Sequence, residues 1–144
     1  MAFNYFSQSI EKMGENFLAQ KTTDMIRRDA KNRIFKDIVN GSIDYTKYGR
    51  YFMDSRFLNQ LISTAEEELN IHRVQRMALE FYDFNFPGYP LVIELVKRER
   101  VIEYVLDMIY NYLKLVRDSN FDVGYLPQLT MKICKYKNDF SKYY

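Results

Sequence analysis

"PLVIELVKRERVIEYVLDMIYNYLKLVR", residues 90–117, decides the fold, because its opening admits two readings. Taken alone, "LVIELV" (91–96) has the apolar, β-branched character of a buried strand. Taken together with residues 97–117, it belongs to one helical stripe traced by Leu91, Leu95, Ile102, Val105, Ile109, Tyr112 and Val116, and no turn signal interrupts it. Pro90 suits the first position of a helix, where its fixed φ and missing N–H do no harm. At about 1.5 Å per residue such a helix runs about 40 Å, long enough to be the central strut of an all-α fold.

Outward from this strut, helical spacing recurs. Phe6, Ile10, Met13 and Phe17 lie on one face of a helix expected over residues 4–20. Thr22 or Thr23 caps a second, striped by Met25, Ile26, Ala30, Ile34 and Ile38 and stopped by Asn40-Gly41. Asp54 or Ser55 caps a third, with Phe57, Leu58, Leu61, Ile62, Ala65 and Leu69 inward. Past Leu69 the stripe jumps phase to Val74, Met77, Ala78 and Phe81, so residues 66–72 either bend this helix or separate two. Ser63 with Glu66 matches a capping box and favours a restart. Beyond Pro127, Leu129, Ile133, Tyr136 and Phe140 mark a final helix, and the tail "KYY" (142–144) is expected to fray. The expectation is one all-α domain over residues 1–144, an irregular bundle of four to six helices with long aromatic-rich loops and a flexible C-terminal tail.

Composition narrows the function. The chain has 144 residues, 47% hydrophobic and 28% charged, values that suit a globular domain able to bury its own core. A single cysteine, Cys134, forms no internal disulfide and no thiolate metal site, which fits a reducing compartment. The N-terminal residues lack the pattern of a signal peptide, and no run reaches the roughly 18 apolar residues of a spanning helix. A soluble protein made in a cytoplasm, with no membrane partner, is expected.

Chemistry finds little purchase. His72 is the only histidine, and neither it nor Cys134 sits in a nucleophile motif. Glu68 and His72 stand at i, i+4, a spacing at which two ligands can meet one metal, yet a carboxylate-bridged two-metal bundle needs two histidines. Gly14, Gly41, Gly49, Gly88 and Gly124 are isolated, so no phosphate-binding loop exists. No catalytic, cofactor-binding or metal residue is assigned, and a non-enzymatic protein is expected. The net charge is only +2, but residues 21–36 hold six cations against two acids. Arg27, Arg28, Lys31 and Lys36 there are either a solvated helix face or a non-specific nucleic-acid contact.

The outlying feature is aromatic: 13 tyrosines and 11 phenylalanines, with no tryptophan. An AT-rich coding sequence accounts for scattered rings, but less easily for clusters. "FYDFNFPGYP" (81–90) contains Tyr82, Phe84, Phe86 and Tyr89, and "NGSIDYTKYGRYFMD" (40–54) contains Tyr48, Tyr51 and Phe52. The second stretch reads as a connection with at most one helical turn. The first reads as a stiff extended arm, because Pro87 biases Phe86 away from helix and Pro90 restarts one. Folded back, its rings would cap the chain's own core; turned outward, they would fill pockets on a neighbour.

The helical pattern, near-neutral charge and the loops "NGSIDYTKYGRYF" and "FYDFNFPGYP" resemble the head–tail connector or ring subunits of tailed bacteriophages, crAss-like phages in particular. The resemblance covers most of the chain and carries no functional residue with it. It implies a non-enzymatic virion protein, made in the host cytoplasm, whose copies form a closed ring against portal or tail subunits, with basic faces toward a DNA passage. The alternative class is a small intracellular regulator or anti-defence protein that binds a host protein or nucleic acid.

Overall fold

The computed structural model describes residue 25 and residues 28–144. The chain divides into two units, Met1–Arg33 and Ile34–Tyr144, and the described residues of the first are helical. The helix expected over residues 4–20 lies outside the described residues. The described residues contain no strand and build five helices: α1, described over residues 28–39, α2 (Tyr45–Phe52), α3 (Ser55–Glu80), α4 (Tyr89–Asp118) and α5 (Tyr125–Asp139), followed by a 3₁₀ turn at Ser141–Tyr143. No helix among them is long and apolar enough to cross a membrane.

The deciding stretch is helical throughout, so "LVIELV" is the start of a 30-residue helix and not a strand. What α4 buries differs from the expected stripe. Val101, Val105, Leu106, Ile109, Leu113 and Val116 enter the core, whereas Leu91 is 65% and Leu95 36% exposed. Val105, Ile109, Leu113 and Val116 of α4 share one core cluster with Ile34 and Ile38 of α1, Phe52 of α2, the Phe57–Ala65 stripe of α3, and Leu126, Leu129 and Ile133 of α5. Removing each such side chain from water contributes about 1.5–3 kcal/mol.

Aspartates set two helix starts. The Asp44 carboxylate accepts the N–H groups of Thr46 and Lys47 at 3.1 and 3.2 Å, and that of Asp54 accepts those of Arg56 and Phe57 at 3.0 and 3.4 Å. Each cap satisfies two otherwise orphaned donors. The 40–54 connection therefore holds an eight-residue helix, α2, and not a single turn. Residues 66–72 neither bend nor separate α3, which runs unbroken for 26 residues with Ser63 in its interior, so the capping-box match there starts nothing.

The stop at Asn40-Gly41 has a specific geometry. Gly41 adopts φ +68, and the Ser42 N–H reaches back to the Asp37 carbonyl at 2.9 Å. The Cys134 thiol of α5 donates to the Gly41 carbonyl at 3.0 Å, which gives the lone cysteine a structural place. A Cβ at residue 41 would stand 2.9 Å from Cys134 Sγ and 3.2 Å from Ile133 Cγ2. Gly41→Ala therefore combines left-handed strain with overpacking, and urea denaturation should find it less stable by about 2–4 kcal/mol. A loss below about 0.5 kcal/mol would contradict this packing.

The side chains of the C-terminal residues have partners on α1 and α4. Lys142 Nζ and Tyr143 Oη both donate to Glu94 Oε2, at 3.0 and 3.1 Å, and Tyr144 Oη donates to the Val39 carbonyl at 2.7 Å. Burial first, with Cys134 and Tyr136 adding to it, pushes the Tyr144 phenol up to about 12. Lys142 holds Glu94 below the usual carboxylate range, aided by Tyr143.

Candidate interaction surface

α3 and α4 form a hairpin whose far end leaves the core behind. The last buried residue of α3 is Leu69, and between the tip and Val101 the only buried residue of α4 is Val92. Polar side chains tie the two helices together over this length. His72 Nδ1 pairs with Glu99, Arg76 Nε donates to Glu103 at 2.6 Å, and Glu80 accepts from Arg76 at 3.1 Å and from Arg100 at 2.9 Å. Glu103 and then Glu80 hold the Arg76 guanidinium above its ordinary value, and Arg76 in turn holds Glu80 below its own. Polar clasps between the helices leave the apolar side chains facing solvent.

That inversion explains the phase jump past Leu69. Ile71, Val74, Met77 and Phe81 are 50%, 65%, 54% and 87% exposed, so the second stripe of α3 is an outward face and not a displaced core. Leu91 and Leu95 of α4 are exposed as well.

The tip that joins the helices is a chain of tight turns and not an extended arm. The Phe86 N–H donates to the Asp83 carbonyl and the Tyr89 N–H to the Phe86 carbonyl, both at 2.9 Å, while the Asp83 side chain accepts the Asn85 N–H at 3.1 Å. Aspartate bonding to the backbone two residues on closes the chain into an Asx turn, and this local gain outweighs the extended bias that Pro87 places on Phe86. The Tyr82 and Phe86 rings pack at 4.8 Å, and Phe86 lies over Gly88, where a Cβ would come within 3.0 Å of it. Phe84 is left 72% exposed. The rings do not cap the core of their own chain among the described residues.

The predicted interface residues thus separate. Tyr82, Phe84 and Phe86 share the tip and are exposed, and Tyr89 is half-buried as the first residue of α4. Phe52 of the other aromatic stretch is fully buried in the core and presents no ring to a partner. Tyr48 and Tyr51 are half-buried against that core, with Lys47 and Arg50 over their rings at 5.3 and 5.4 Å. Of the basic cluster, Arg27 lies outside the described residues, Arg28 and Lys36 are exposed, and Lys31 is half-buried. The sequence reading missed Val74, Met77 and Phe81 as surface, although the phase jump was their signal, and it missed Leu91, for which the pattern held no signal.

At the base of the hairpin, Glu68 and His72 of α3 and Arg98 and Ile102 of α4 line an open cavity of about 270 Å³, together with Val39 and Tyr144. Glu68 stands 4.0 Å from His72 Nε2, but no group of three His, Cys, Asp or Glu side chains among the described residues could hold a metal ion. Comparison with protein-family models, curated proteins and solved structures finds no match to this chain.

Proposed function

We propose that this protein is a non-enzymatic assembly subunit that docks onto protein neighbours through the tip of its α3–α4 hairpin. The observation that supports this reading is the exposure of Phe81 and Phe84 at the end of a paired-helix arm with almost no apolar core of its own. Ten large apolar side chains between Ile71 and Leu95 are exposed.

Together with the resemblance to head–tail connectors, this supports a ring subunit of a tailed-phage virion, with portal or tail subunits as further neighbours. Arg28 and Lys36, both exposed, are then available to DNA within the particle. The test is to isolate the native protein under non-denaturing conditions and weigh the complex. Several copies in one particle, alone or with other structural chains, agree with the proposal. A free monomer with no protein neighbour contradicts it.

A further inference from the structure

The tip presents a ring beside a carboxylate, and the base of the hairpin holds a cavity beside a guanidinium. Phe84 is exposed, and the neighbouring Asp83 carboxylate accepts one backbone N–H and has no basic partner among the described residues. The cavity between α3, α4 and the C-terminal tyrosines measures about 270 Å³. A dry cavity of about 150 Å³ takes up benzene, so this one has room for a phenyl ring. Arg98 lines it together with His72 and Glu68, and among the described residues the Arg98 guanidinium has no acidic partner within salt-bridge distance.

We propose that a second copy of this chain is the occupant: Phe84 of one copy enters the base cavity of another, and Asp83 pairs with Arg98 there. This rests on the assembly reading and names its contact. A copy cannot fill its own cavity, because α3 rises about 13 Å between His72 and Phe81, beyond the reach of one side chain. Tip and cavity are different surfaces, so two copies can exchange the contact as a two-fold pair, or it can pass from copy to copy, and only the second arrangement builds a ring.

The test is a charge swap read by sedimentation equilibrium. Asp83→Arg alone and Arg98→Asp alone should each weaken self-association about tenfold or more, since each places like charges together. The double variant restores the opposite pair and should recover to within about threefold of wild type. Single-variant losses with no recovery in the double variant overturn the contact while leaving assembly itself intact. A wild type that does not self-associate also overturns the contact; the assembly reading falls with it only if the native complex contains no other protein chain. Phe84→Ser, which leaves both charges in place, should weaken association as well, and unchanged association there rejects the ring as the anchor.

Discussion

Phe52→Ala is expected to lower the free energy of unfolding by about 3–5 kcal/mol, the cost of emptying a large aromatic site in a packed core. Phe52 is fully buried, and it ends α2 where that helix meets the Phe57–Ala65 stripe of α3. The transfer free energy of the ring is lost, and the surrounding residues relax only partly into the space left behind. A domain of this size is stable by about 5–15 kcal/mol, so the variant should be marginal at room temperature and visibly displaced in a urea titration. A shift of less than about 1 kcal/mol would mean that the ring is not held as described.

Phe81→Ser combined with Phe84→Ser should do the reverse. Both rings are exposed, so their loss should leave the unfolding free energy within about 0.5 kcal/mol of wild type. If a neighbour buries them, each ring withdrawn from the contact costs about 1.5–3 kcal/mol, and the pair should weaken association by a factor of about 100 or more. Two aromatic stretches that look alike in sequence thus predict opposite phenotypes.

How much of the fold and of the surface was legible in the sequence depends on what periodicity reports. The apolar spacing of Phe57 to Ala65 and of Val105 to Val116 identified core faces correctly, because those stretches are covered by other helices. The same spacing at Leu91 and Leu95, or at Val74 and Phe81, carries no statement of what lies opposite. A helix can be amphipathic toward its own bundle or toward another molecule, and the pattern is identical. The signal that separates the two is the change of phase at Leu69, together with the charged residues that fall between the helices: His72, Arg76, Glu99 and Glu103. Local chemistry also outweighed composition in the loops. Asp44 turned part of a glycine- and tyrosine-rich connection into a helix, and Asp83 folded an apparent arm into turns. The partners of Tyr143 and Tyr144 lie 49 and 105 residues away, a separation at which sequence pattern says nothing.

On the proposed function, the hairpin tip is a surface for a neighbour and not a lid on its own core. Sedimentation velocity of the wild type and the Phe81→Ser, Phe84→Ser variant at equal concentration, with urea midpoints measured alongside, tests it most directly. A multimeric wild type and a monomeric variant with the same midpoint are the predicted result. Identical sedimentation of the two proteins, or loss of folding in the variant, would contradict it.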